Sequence, residues 1–169
     1  MKIQIIGFSG SGKSTLAKKL AHYYKVPVLY LDTVQYYGKW EERSIEKQNE
    51  IVDAFLSENP NGWVIDGNYT RISPQRFEQS DITIFLNYNR VYCYKMAKKR
   101  YNEHKIIPRE SLGIPDKFDF EFKKWLLIDG RKRKRRKKHF RCLNKCDGIK
   151  LVFKNKNQLN DYLIKNNIT

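Results

Sequence analysis

The sequence predicts an α/β protein whose parallel sheet is covered by helices on both faces. Two patterns point there. Short β-rich apolar runs recur along the chain with helical stretches between them, and a glycine-rich turn follows the first run and opens the first helix. Strands that are apolar on both sides belong in a buried parallel sheet. In such sheets ligands sit at the carboxyl ends of the strands.

Ile3-Gln4-Ile5-Ile6 is the first strand, and Gly7-Phe8-Ser9-Gly10-Ser11-Gly12-Lys13-Ser14 follows it. A helix runs from Ser14 to about Tyr24, with Leu16, Ala17, Leu20 and Ala21 on one face. Val28 to Leu31 is the second strand, ending at Asp32. Ile45, Gln48, Val52, Phe55 and Leu56 mark an amphipathic helix that stops at Asn59-Pro60-Asn61-Gly62. Trp63-Val64-Ile65 is the third strand, closed by Asp66-Gly67; Ile82 to Leu86 is the fourth, and a helix from Arg90 to about Tyr101 follows. After an irregular stretch from Pro108 to Pro115, Phe118, Phe122 and Trp125 repeat at helical spacing and lead into a basic run. Ile149 to Phe153 is the fifth strand, with Asn157 placed to cap a last helix over Gln158 to Lys165.

A chain of 169 residues supports one globular domain, 1–169. Its 40% hydrophobic content is enough for a core, and no apolar run approaches the roughly 20 residues of a membrane span. The opening Met1 to Gly7 is too short for a signal peptide, so the expectation is a cytoplasmic protein without a membrane partner. Cys93, Cys142 and Cys146 fit no disulfide framework and read as free thiols. His139 with the last two lacks a fourth ligand and matches no common zinc spacing.

The net charge is +16, concentrated in one region. Residues 1–89 hold 10 basic and 10 acidic side chains, whereas residues 90–141 hold 19 and 6. That middle faces phosphates, an acidic partner or solvent.

Gly7 to Ser14 fits G-x-x-x-x-G-K-[ST], and the strand before it and helix after it make the pattern mechanical. Backbone N–H groups of Gly7, Ser9, Gly10, Ser11, Gly12, Lys13, Ser14 and Thr15 would converge on the phosphates of a nucleoside triphosphate at the positive end of the helix. Lys13 would reach the β- and γ-phosphates of ATP, and the Ser14 hydroxyl would ligate Mg²⁺. Asp32 and Asp66 each close a strand, which opens both carboxylates onto the crevice beside this loop. Asp66 is assigned to the metal shell and Asp32 to orienting or deprotonating an acceptor; a cap or turn role is the plainer alternative. Tyr36, Tyr37 and Trp40 stand in the segment where an acceptor would bind, or pack that segment on the core.

The run Arg131 to Lys138 is a solvated helix face, a lid over the triphosphate, or a nucleic-acid contact. Arg131 and Arg135, four apart on a helix, are expected to share a face toward the phosphates. Arg90 is a second candidate, and Lys98, Lys99 and Arg100 are read as surface.

The loop GFSGSGKSTLAKKL, with VLYLDTV, WVIDGNY, IFLNYNR, KFDFEFKKWLLIDGRKRKR and KLVFKNKNQL, resembles the P-loop nucleoside monophosphate kinase-like proteins. More closely, it resembles the bacterial DNA topology modulation protein (FlaR) family over nearly the whole chain. That resemblance implies a three-layer P-loop NTPase fold with five strands in the order 2-3-1-4-5, which places Asp66 next to the phosphate loop. It also implies an acceptor-binding insert at about 33–60 and a basic helical lid at about 100–140. Adenylate kinase-like enzymes follow this Asp-Gly with an aromatic, Pro and Arg; here Asn68 and Tyr69 replace the first two and Arg71 falls one residue late. The nucleotide half of the resemblance therefore transfers, and AMP as acceptor does not. The expected activity is transfer of the γ-phosphoryl group of ATP, with Mg²⁺, to a small-molecule or nucleotide acceptor. Nucleic-acid binding with a structural or regulatory ATP is the second choice.

Overall fold

The computed structural model describes residues 1–37, 40–104 and 110–168. Pro108 and the rest of 105–109, within the expected lid region, lie outside the described residues. The five main strands are β1 (Lys2–Gly7), β2 (Val28–Tyr30), β5 (Trp63–Asp66), β6 (Ile82–Leu86) and β7 (Ile149–Phe153). They pair in parallel in the order β2-β5-β1-β6-β7. A two-residue ribbon, β3 (Tyr36–Tyr37) with β4 (Glu41–Glu42), stands apart. With it set aside, the order among the main strands is the expected 2-3-1-4-5.

Helices α1 (Lys13–Tyr24), α2 (Leu31–Gln35), α3 (Ile45–Glu58), α4 (Arg90–His104), α5 (Phe120–Leu127), α6 (Arg133–Asn144) and α7 (Lys156–Lys165) connect these strands or lie over them. Strand β5 carries both sides of the core: Val64 joins the cluster built with Leu16, Leu20, Phe85 and Leu159, whereas Trp63 and Ile65 join Leu31, Val34, Val52 and Leu56. Alternating side chains on a fully buried strand produce that division.

Three boundaries differ from the sequence reading. Strand β2 stops at Tyr30, because Leu31 already begins the short helix α2, which buries Leu31 and Val34 and carries Asp32 in its first turn. Phe118 lies outside α5; Asp119 caps that helix by accepting from the Phe122 N–H at 2.8 Å, and Phe118 stacks on Tyr101 instead. The last helix is capped by Asn155, whose side chain accepts from the Gln158 N–H at 3.0 Å, so it starts at Lys156 and Asn157 falls inside it.

The sequence reading also missed a buried polar brace. Arg76 is fully buried; its Nε donates to Gln4 Oε1 at 2.8 Å, and its guanidinium also donates to the carbonyls of Tyr69, Ile72 and Ser73. Gln4 Nε2 in turn lies 3.1 Å from the carbonyl oxygens of Ile5, Ile65 and Gly67. Burial lowers the Arg76 pKa to about 10, which still leaves it charged at neutral pH. The loop after β5 is thus tied through the core to β1.

Candidate functional site

Sheet register brings three chain ends together. Asp66 stands opposite Ile5 on β1 and Tyr30 on β2, so Gly7, Asn68 and Asp32 each lie two residues beyond one aligned row. The loop from Gly7 to Lys13 then turns into α1. Gly10 has φ 79°, and a side chain there would run into the Cys93 carbonyl of α4. Gly12, at φ 87°, is the N-cap of α1, and a Cβ there would meet open space. No side chain caps this helix and its first turn holds no acidic residue. The first N–H groups of a helix have no intrahelical partner, so Lys13, Ser14 and Thr15 present donors and the positive dipole end together. Ser11 is buried within the loop, and its N–H donates to Phe8 O at 3.0 Å.

Lys13 Nζ rests 3.4 Å from the Phe8 carbonyl oxygen. Ser14 Oγ donates to Asp66 Oδ2 at 2.7 Å, and Asp66 is buried. A hydroxyl and a buried carboxylate in contact at the helix start form an oxygen-only donor set. That chemistry fits Mg²⁺, a hard cation that is held by one or two protein oxygens and keeps several of its waters.

Within Asp66 to Tyr69, three side chains reach separate parts of this site. Asn68 clamps the start of the loop: its Oδ1 accepts from the Gly7 N–H at 2.8 Å and its Nδ2 donates to the Gly7 carbonyl at 2.7 Å. The amide thereby extends β1 as another strand would. Asn68→Ala should cost about 2 kcal/mol in urea unfolding, because both polar groups of Gly7 lose their partner in a half-buried place. Tyr69 Oη donates to Asp32 Oδ1 at 2.6 Å. Burial, together with the charges of Asp32 and Asp66, pushes the Tyr69 pKa far up, so the phenol stays protonated. Burial and the carboxylates of Glu110 and Asp66 likewise push Tyr30 up to about 12.

Beside Asp32, Arg43 Nη1 donates to the carbonyls of Thr33, Val34 and Tyr36 at 2.8, 3.0 and 2.9 Å and holds the segment's shape. Tyr36 packs edge-on to Trp40, and the Lys117 ammonium sits 4.6 Å from the Trp40 ring centre. Glu110 pairs with Lys18 at 2.9 Å, and Gly113 lies against Thr33. The stretch from Glu110 to Lys117 therefore lies against α1 and the Asp32 segment.

The basic region divides. Arg131 and Arg135 do not share a helical face: Arg131 ends a 3-10 turn (Asp129–Arg131), and α6 begins only at Arg133 after Lys132 in extended conformation. Gly130, inside that turn, packs so closely on Trp125 that a side chain there would run into the Trp125 carbonyl and ring. Arg131 lies on the phosphate loop, its guanidinium 3.8 Å from the Phe8 ring centre and its Nη1 donating to Tyr88 O at 2.6 Å. Arg135 stacks on Trp125 at 4.1 Å. Trp125, Gly130 and Arg131 face Phe8 and Ser9 across a small gap. Arg90 Nη1 donates to Leu127 O at 3.2 Å. Arg100, read as surface, is only partly exposed and pairs with buried Asp116 at 3.0 Å.

His139 is buried edge-on to Phe8, and its pKa falls to about 4 through burial and then the charges of Lys13, Lys138, Arg131 and Arg135. It is neutral at physiological pH. Cys93, Cys142 and Cys146 are buried free thiols, and among the described residues no group of three His, Cys, Asp or Glu is placed to hold a metal.

The strand order and the loop between β1 and α1 define a three-layer α/β fold of the P-loop type. No family model matches the chain. No curated protein matches it in sequence. Among solved structures, a shikimate kinase from Bacteroides thetaiotaomicron superposes with a TM-score of 0.54 at 16% identity, over 98% of this chain and 95% of that one. An uncharacterized protein from Eubacterium ventriosum ATCC 27560 gives 0.52 at 20% identity, over 98% and 97%. A gluconokinase from Sinorhizobium meliloti 1021 gives 0.45 at 16%, over 79% and 78%. The first two likenesses are of fold. Among the described residues no helix is long and apolar enough to cross a membrane.

Proposed function

We propose that the chain binds ATP with Mg²⁺ through Gly7 to Thr15 and transfers the γ-phosphoryl group to a small-molecule or nucleotide acceptor. One observation carries this reading: an uncapped helix start beyond the Gly-rich turn, with Lys13 over the loop and Ser14 against buried Asp66. Lys13 neutralises the β- and γ-phosphates, Ser14 and Asp66 hold Mg²⁺, and Asp32 faces the acceptor. When bound, the metal offsets charge on the transferring group. The segment of about 33–60 is the acceptor insert, and the region of about 100–140 is the lid. A thermal-shift screen of nucleotides, nucleosides and small hydroxy acids, each with Mg²⁺, tests the reading. ATP should raise Tm by several degrees at saturation, and no response to any nucleoside triphosphate would reject it.

Arg131 and Arg135 belong to the lid, Arg131 by its place on Phe8 and Arg135 through Trp125. Neutralising both to Gln should cut turnover by more than about tenfold, because charge on the transferring phosphoryl group is met only by correctly placed donors. Lys132, which is exposed and paired with Asp129 at 2.6 Å, and exposed Lys137 should tolerate the same change within about twofold.

A second reading rests on the other side of α6, where Arg133, Lys134, Lys137 and Arg141 form an exposed row. This cationic row suits a nucleic-acid backbone and fits the resemblance to DNA topology modulation proteins. In that case each basic residue contributes about equally, and log affinity falls with log salt at a slope near 0.9 per phosphate contacted.

A further inference from the structure

Building on the kinase reading, we propose that Tyr69 is the positioning residue for Asp32, and that the pair suits an acceptor presenting a neutral hydroxyl rather than a phosphate or carboxylate oxygen. The first argument is geometric. Tyr69 donates to Asp32 Oδ1 at 2.6 Å, and its own backbone is fixed because Arg76 Nη2 donates to the Tyr69 carbonyl at 2.8 Å. Arg76 is held in turn by Gln4 on β1. The phenol therefore stands on the core, and it fixes the rotamer of a carboxylate that is itself only half-buried.

The second argument is what Asp32 lacks. Among the described residues Tyr69 is the one side chain that hydrogen-bonds its carboxylate, and no Lys or Arg there forms an ion pair with it. The two guanidinium groups that brace this side of the site are committed to backbone carbonyls: Arg43 to those of Thr33, Val34 and Tyr36, and Arg76 to those of Tyr69, Ile72 and Ser73. Among the described residues the second oxygen of Asp32, Oδ2, is thus left without a side-chain hydrogen bond.

Chemistry then selects the acceptor. An anionic phosphate or carboxylate oxygen has no proton to lose and is repelled by Asp32. A hydroxyl must lose its proton as it attacks, and Asp32 is placed to take it. In the balanced step the hydroxyl oxygen forms a bond to the γ-phosphorus, the bond from that phosphorus to the β,γ-bridging oxygen breaks, and ADP leaves with the electron pair. The hydroxyl proton passes to Asp32 Oδ2.

Water is the simplest hydroxyl acceptor, so the test needs no natural substrate. ADP release from Mg²⁺ and ATP is measured in water alone, with glycerol as a generic alcohol, and with inorganic phosphate as a generic anion, and the phosphorylated products are separated. Slow hydrolysis, with part of the phosphoryl group diverted to glycerol phosphate and none to pyrophosphate, is expected. Tyr69→Phe should lower kcat about tenfold and Asp32→Asn about a hundredfold, each with KM for ATP within about twofold of the parent. Asp32→Asn keeps an oxygen for Tyr69, so it decides the matter if Tyr69→Phe does not fold. Pyrophosphate formation, parental kcat in both variants, or a parent that binds ATP and releases no ADP would overturn the inference. A parent that fails to bind ATP at all would instead reject the kinase reading beneath it.

Discussion

A folded Lys13→Ala variant should bind ATP with Mg²⁺ more than about a hundredfold more weakly than the parent. Lys13 Nζ makes one long contact, 3.4 Å to the Phe8 carbonyl, so the ammonium is held over the loop without being committed to it. Its removal costs the fold little. Each charge-assisted hydrogen bond it makes to a phosphate is worth about 1.5–3 kcal/mol, and two such bonds amount to about 3–6 kcal/mol, which is beyond a hundredfold in Kd. The helix start still offers its N–H groups, so residual weak binding is expected rather than none. Isothermal titration of parent and variant, with Tm recorded for each, makes the comparison. Equal affinity in a folded variant would remove the phosphate loop from the function.

The features legible in the sequence are those written in neighbouring residues. Gly10 and Gly12 mark the loop because their positive φ angles favour a residue without a Cβ, and at Gly10 the approach of α4 leaves no room for one. Asp66 stands out in the sequence because a strand end in a parallel sheet is a usual ligand position, and it does close β5. What escaped notice depends on residues far apart. Asn68 holds Gly7 from 61 positions away, and Arg76 reaches Gln4 from 72. Nothing in either local stretch announces the partner. Asp32 was read at a strand end, yet it begins a helix, because Leu31 and Val34 three apart find a core to bury in. Arg131 and Arg135 were placed on one helix by counting residues. The chain instead leaves a 3-10 turn at Arg131 and starts α6 only at Arg133, and the two arginines meet different rings. Arg131 nevertheless arrives at the loop, by a contact with Phe8 that no periodicity contains.

Asp66→Asn should lower turnover by about a hundredfold or more and raise the Mg²⁺ concentration needed for half-maximal rate by about tenfold, while the protein stays folded. The separation of these effects follows from what the substitution keeps. Asn retains a carbonyl oxygen where Oδ2 now accepts from Ser14 Oγ at 2.7 Å, so the contact between β5 and the start of α1 survives. It removes the negative charge, and that charge is what a divalent cation takes from a buried carboxylate in place of its hydration. Under the proposed function the metal would offset the charge that develops on the transferring phosphoryl group, so its loss would be felt mainly in kcat. ATP binding measured with EDTA present should be nearly the same in parent and variant, because phosphates are then held by Lys13 and the loop N–H groups alone. The decisive measurement is a Mg²⁺ titration of ADP release at saturating ATP. A variant with parental half-saturation and parental rate would show that Asp66 only ties Ser14 to the sheet, and the metal would have to be placed elsewhere.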